Sequence, residues 1–269
     1  MPDRPRVYKT EGIILRRRNV GEADSIFTVY SDDLGKFDAV ARGVRKARSR
    51  MRGHLEPLTR SSLLIARGRS LDVFTQAETV TPYRALREDF ERSVAALYCA
   101  ELVDRFAAEH APHDGLFALI VEAFDALQEG VAMHLTRAFE IQLQGMMGYE
   151  LQLDGCALCG AKLPEDDTLL SPMAGGLVCR SCRGMAGAGR IVSVRAVKVL
   201  RYGRGVDLAS FAAIRMDETL DHELQAVLAD CIRYVLEREP NVPRYLDEVR
   251  RMTGEQATPQ RGDITYNQK

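Results

Sequence analysis

Two C-x-x-C pairs, Cys156-Ala157-Leu158-Cys159 and Cys179-Arg180-Ser181-Cys182, stand 19 residues apart in this chain of 269 residues. A tight C-x-x-C turn brings two thiolates to one metal ion, and a second such turn at this separation completes a tetrahedron of sulfurs. The spacing therefore predicts one structural zinc, with Gly155 and Gly160 relieving the bends of the first turn. Four protein ligands leave no position for water, so the expected role is to hold a fold rather than to hydrolyse a substrate. No basic, apolar leader precedes the six cysteines, and no apolar stretch of about 18 residues occurs. A cytoplasmic, non-membrane setting is expected, where reduced thiols bind metal rather than pair. Cys99 and Cys231 lie among apolar neighbours in helical patterns and read as buried, inert thiols.

The hydrophobic period changes once along the chain. Before Pro82 it has short runs rich in β-branched and aromatic residues, at 7–18, 25–30, 37–41, 61–66 and 71–80, separated by turn residues such as Arg67-Gly68-Arg69-Ser70. Five strands without a helical period predict a small barrel, and the oligonucleotide-binding (OB) fold is the usual five-stranded form. After Pro82 apolar residues recur at three- and four-residue steps: Val94, Leu97, Tyr98, Leu102 and Phe106 within 84–110, then 115–130, then Leu135, Phe139, Leu143 and Met147 within 131–149, and again 217–237. The expectation is an α+β, multidomain chain. An OB-fold β-barrel spans 1–82, and a mainly α-helical domain spans 83–250 with a four-cysteine zinc finger inserted at about 151–189. One further short helix is expected beyond Pro243, and a polar tail over 251–269.

A net charge of −1 argues against nucleic acid only until the halves are counted apart. Residues 1–82 hold 16 Lys+Arg against 10 Asp+Glu, and the remainder holds 21 against 28. The basic excess peaks at residues 42–52, where Arg42, Arg45, Lys46, Arg48, Arg50 and Arg52 occur without an acidic residue. The segment lies between the third and fourth predicted strands, so it is expected to project from the barrel and follow a phosphate backbone, with Arg16, Arg17 and Arg18 extending the stripe. Phe27, Tyr30, Phe37 and Phe74 are able in principle to stack on bases, but core packing is the default for all four.

Catalytic assemblies are not found, and the chain reads as a non-enzyme. His54-Leu55-Glu56 resembles the H-x-E of zinc deaminases, yet the first C-x-x-C is about 100 residues away, follows Gly155 rather than proline, and has its own partner pair. Gly35-Lys36 is followed by Phe37 and has Tyr30 where a phosphate loop needs glycine. His222-Glu223 lacks the second histidine of a metalloprotease helix, and Asp32-Asp33 and Asp166-Asp167 have no partner group. A zinc-ribbon RNA-binding or transcription-associated module is the alternative to a DNA-binding protein, since both look much the same at this level.

Short matches in register give a resemblance. Thr10-Glu11-Gly12-Ile13-Ile14-Leu15-Arg16, Gly21-Glu22-Ala23-Asp24, Gly35-Lys36, Ala41-Arg42-Gly43-Val44-Arg45, Leu55-Glu56-Pro57-Leu58, Gln76-Ala77-Glu78, Gly148-Tyr149 and the two cysteine pairs resemble the bacterial recombination mediator RecO family over about residues 7–250. The resemblance implies an N-terminal OB fold, a helical C-terminal domain and a zinc finger. It also implies function: binding of single- and double-stranded DNA, annealing of complementary strands without ATP, and association with RecR. Contact with the acidic C-terminal tail of single-stranded-DNA-binding protein would then help to load RecA, in a cytoplasmic, nucleoid-associated setting. Some members of the family lack the cysteines, which implies that the metal supports folding. On the same basis the tail is expected in a groove of the helical domain with an apolar floor and a basic rim, with Arg137 among its candidates.

Overall fold

The computed structural model describes residues 6–131, 134–238 and 240–242. Strands β1 (Val7–Val20), β2 (Asp24–Ser31), β3 (Gly35–Ala41), β4 (Arg60–Ala66) and β5 (Asp72–Thr81) close into a barrel in the order β1-β2-β3-β5-β4. Closure depends on β1, whose 14 residues pair with β4 in the first half and β2 in the second. Gly12 stands where the two pairings meet, opposite both Ser31 and Ser61. A Cβ at Gly12 would lie 2.4 Å from a methyl of Val29, so no larger residue fits this crossing.

Strands β3 and β4 alternate between buried and half-buried residues, the pattern of a sheet with one packed face. Their inward residues join Ile14, Phe27, Val29 and Phe74 in the barrel interior. The unbroken run Ile13-Ile14-Leu15 in β1 has a different cause, because both of its faces are covered there. Ile14 points into the barrel, while Ile13 and Leu15 join Tyr30, Leu58 and the helices in a second core. Phe27, Tyr30, Phe37 and Phe74 are all interior, as core packing requires.

The helical part begins with α1 (Ala85–Glu88), α2 (Phe90–Phe106), α3 (Leu116–Glu129) and α4 (Leu135–Met146). The stretch 84–110 is two helices, since Asp89 is extended and caps α2 by accepting from the Arg92 amide. The predicted stripe of α2 is also displaced. Its buried face is Ala95, Ala96, Cys99, Ala100, Leu102 and Val103, the first four of them small, and Leu97 is exposed. The stripe of α4 is as expected, with Leu135, Phe139 and Leu143 fully buried.

The expected insertion, here 151–192, holds a small sheet of β6 (Thr168–Ser171), β7 (Gly176–Val178) and β8 (Arg190–Val192), in the order β7-β6-β8. Its strands of three or four residues are too short for an alternation to register. Helices α5 (Val194–Gly203), α6 (Leu208–Ala212) and α7 (Glu218–Leu236) follow, capped by Ser193, Asp207 and Asp217. Leu153, Leu170, Leu177 and Val192 from the sheet region pack with α5 and α7. The helix expected beyond Pro243 and the polar tail lie outside the described residues.

Candidate metal centre and nucleic-acid interface

The first cysteine pair sits on a tight turn closed by the Gly160 amide, which donates to the Cys156 carbonyl at 2.8 Å, and by the Cys156 amide, which donates to Ala161 at 2.9 Å. Gly160 has φ +72°, so the bend falls on the residue that tolerates it. The turn is fastened to β7 by the Ala157 amide, which donates to Leu177. The second pair lies where β7 runs into a short 3-10 helix, Arg180–Met185, and the Cys182 amide donates to the Cys179 carbonyl. The sheet thus carries both pairs to one place.

The four sulfurs lie within 4.8 Å of one another, and Cys159 and Cys179 are 3.8 Å apart. A tetrahedral zinc with Zn–S bonds of about 2.3 Å has S···S edges of about 3.8 Å, so four thiols in this arrangement fit such an ion. The Cys179 amide, 3.4 Å from the Cys156 sulfur, holds that thiol down to about 6, and crowding by the other three sulfurs pushes Cys182 up to about 12. Cys156 and Cys182 are buried with Val178 and Ala186, whereas Cys159 is exposed. The other two thiols differ in kind: Cys99 and Cys231 are buried, and burial raises both above the ordinary thiol range.

The basic segment does not project freely. Val44, Met51 and Leu55 turn into the open end of the barrel and pack with its core. The chain is fixed to the β1–β2 turn by the Gly43 amide, which donates to Asp24 at 2.7 Å, and by the Arg45 amide, which donates to the Ala23 carbonyl at 2.9 Å. Arg42, Arg45, Lys46, Arg48, Arg50 and Arg52 are left on the solvent side, all exposed. Among the described residues none of the six has a carboxylate partner, although Arg45 donates to the Gly21 carbonyl. Asp24 and its turn were the part invisible in sequence, because an acidic residue 19 positions away gives no local signal that it anchors an amide.

The three consecutive arginines separate. Arg18 is exposed, Arg17 stacks on Phe27 at the barrel end with its guanidinium 5.8 Å from the ring, and Arg16 pairs with Asp104 of α2 at 3.1 Å. Lys36 pairs with the same Asp104, so two cations of the barrel grip one carboxylate of the helices. Arg137 is not a free rim cation either. It is buried between Glu140 and Asp221, at 2.9 and 3.4 Å, and Tyr98 donates to the same Glu140. Among the described residues no helix is long and apolar enough to cross a membrane.

The chain is similar to known proteins along most of its length. A family model described as Recombination protein O N terminal matches residues 6–83, and one described as Recombination protein O C terminal matches residues 87–243. A protein of Roseiflexus sp. (strain RS-1) named DNA repair protein RecO is 40% identical over 250 residues, covering 93% of this chain and 88% of the relative. Proteins of the same name from Dehalococcoides mccartyi (strain CBDB1) and Desulforamulus reducens are 35% and 34% identical, covering 92% and 91% of this chain and 98% and 95% of those relatives.

Proposed function

The chain belongs to the RecO family of DNA repair proteins, and on that premise we propose that it is a recombination mediator that acts by binding alone. It binds single- and double-stranded DNA, anneals complementary strands without ATP and, with RecR, assists RecA loading onto DNA coated by single-stranded-DNA-binding protein. The observation that carries this reading is the basic segment: six cations held outward by apolar residues that plug the barrel, none matched by a carboxylate among the described residues. Annealing requires two polyanions to approach. A rigid surface of unmatched cations lowers their repulsion without consuming a nucleotide.

The cysteine cluster holds one structural zinc, supported by its all-sulfur donor set and its edge lengths. Zinc would supply a four-way crosslink there, and the chain's own residues do the rest: both cysteine turns are held at β7, and Leu153, Leu170, Leu177 and Val192 fix the small sheet to α5 and α7. The tail of single-stranded-DNA-binding protein docks on the helical domain. A shallow depression lined by Ile141, Leu151, Leu153 and Leu200 supports an apolar floor for it, and Arg204 at its edge is paired with Glu150 and Asp154. The setting is cytoplasmic and nucleoid-associated.

An annealing assay with labelled complementary oligonucleotides tests the proposal, run without ATP and with the strands bare or coated by single-stranded-DNA-binding protein. Acceleration in both arms is expected. No acceleration of bare strands would overturn the reading, and tighter binding of structured RNA than of single-stranded DNA would move it to an RNA-binding module.

A further inference from the structure

We propose that the outer stripe of α2 is the docking surface for the chain's own segment 243–253, which continues a helix begun at Asn241. The proposal does not rest on DNA binding, and it uses a face that the proposed function leaves idle. Helix α2 has two apolar sides. Ala95, Ala96, Cys99, Ala100, Leu102 and Val103 are buried on one, while Phe90, Val94, Leu97 and Glu101 follow at steps of four, three and four along the opposite side. Phe90 is 62% exposed and Leu97 is 40% exposed, so no described element buries them. Large apolar side chains in line on one helix mark a face that lacks its cover.

The start of the cover is visible at the Glu101 end of the stripe. One oxygen of Glu101 accepts from the Asn241 amide at 2.6 Å and the other from the Val242 amide at 2.8 Å, while Arg105 holds the same carboxylate at 2.8 Å. Asn241 and Val242 have helical backbone, and Pro240 before them is buried. A helix leaves its first four amides without an internal partner. Here Pro240 and Pro243 have no N–H to satisfy, and the two amides between them both donate to Glu101, so the N-terminus is complete. The sequence beyond carries the rest of a helix. Val242, Tyr245, Leu246, Val249 and Met252 fall on one side of it, Arg244, Asp247, Glu248 and Arg251 fall on the other, and Gly254 supplies the stop. From Val242 to Met252 such a helix rises about 15 Å, and from Glu101 to Phe90 α2 spans about 16 Å, so the two apolar stripes match in length. A course toward Phe90 also brings Arg250 and Arg251 to the end of α2 where Glu88 and Glu91 are exposed. Val242 is already held at Glu101, and this short tether gives the chain's own segment precedence over any free partner.

Hydrogen exchange of the full chain tests the docking. Amides of 244–252 are expected to exchange about tenfold or more slowly than in the same segment as a free peptide. Leu97→Asp places a charge in the stripe and is expected to return them to the peptide's rate, while β1 to β5 and α3 to α7 keep their protection. Should that variant disturb α2 itself, Phe90→Trp decides instead: the chain has no other tryptophan, and its emission is expected to move to longer wavelength when the chain is cut back to Val242. Peptide-like exchange of 244–252 in the unaltered protein would overturn the proposal, as would protection that survives Leu97→Asp in an intact α2, or tryptophan emission indifferent to the truncation. Protection lost on dilution would place the segment on a second copy of the chain and overturn the docking within one chain.

Discussion

The barrel end at residues 42–55 and the cysteine ribbon at 151–192 both lack long regular elements, but they are ordered by different means. The first is pinned by hydrophobic plugs, Val44, Met51 and Leu55, that pack into a buried core with aromatic members. The second packs Leu153, Leu170, Leu177 and Val192 on α5 and α7, but around its sulfurs the buried cluster is only Cys156, Val178, Cys182 and Ala186. Apolar cover is thus concentrated on the side away from the sulfurs, and on the reading proposed above a crosslink through the four thiols orders the side that packing leaves thin. The comparison teaches that charge is displayed where packing suffices and that thiols gather where it does not.

The sharpest way to break this comparison is to remove the metal. Chelation, or Cys156→Ser, is expected to cost several kcal/mol locally. Hydrogen exchange should show amides of 151–192 losing protection while those of β1 to β5 keep theirs, and metal analysis of fresh protein should find one zinc per chain. Equal loss in the barrel would mean that the two regions are not ordered independently.

Next in size is Arg137→Ala. It leaves Glu140, 1% exposed, without its cation, and stranding a buried charge costs about 3–5 kcal/mol. Burial already holds the Glu140 carboxyl above its ordinary range, with Arg137 opposing that shift. Without Arg137 the folded-state value rises further above the unfolded one. The stability of the variant is therefore fully present below the unfolded value and lost as pH rises through the folded one. Denaturant titrations at about pH 5 and pH 8 should show the larger deficit at the higher pH. A deficit near zero at both would return Arg137 to the rim cations.

Leu55→Ala should come third, at about 2–5 kcal/mol, since Leu55 is fully buried in the barrel. Urea unfolding measures it, and the loop amides should lose protection first. If that variant were to release zinc as well, the plug and the ribbon would share one cooperative unit.

How much of this was legible in the sequence follows from the range of each interaction. The cysteine pairs and the barrel strands announce themselves within a few residues, by spacing and by alternation. Arg16, Arg17 and Arg18 looked alike, yet Asp104 claims one and Phe27 another, and neither partner is near them in the chain. Arg137 has the same history with Asp221. The buried face of α2 was misplaced because the helix is apolar on more than one side, so its pattern does not choose between them. Local chemistry was readable, and the assignment of each charge to display or to pairing was not.

The smallest effect on the fold and the most direct effect on function are expected from the cations themselves. Arg45 braces the β1–β2 turn through Gly21, so replacing it would mix a structural loss with an electrostatic one. Lys46, Arg48 and Arg50 have no side-chain hydrogen bond or ion pair among the described residues, and their triple alanine variant separates the two. Each phosphate contact contributes about 0.7 to the log–log salt slope for single strands, so removal of three should flatten it by about 2. Contacts of this kind position a backbone without reading bases, so the loss of affinity should be similar for unrelated sequences. The urea midpoint and zinc content should be unchanged, because the apolar side of the segment is intact. A triple variant that keeps its salt slope would place the DNA surface away from the plugged end of the barrel, and one that loses stability would show that the cations help to hold the loop they ride on.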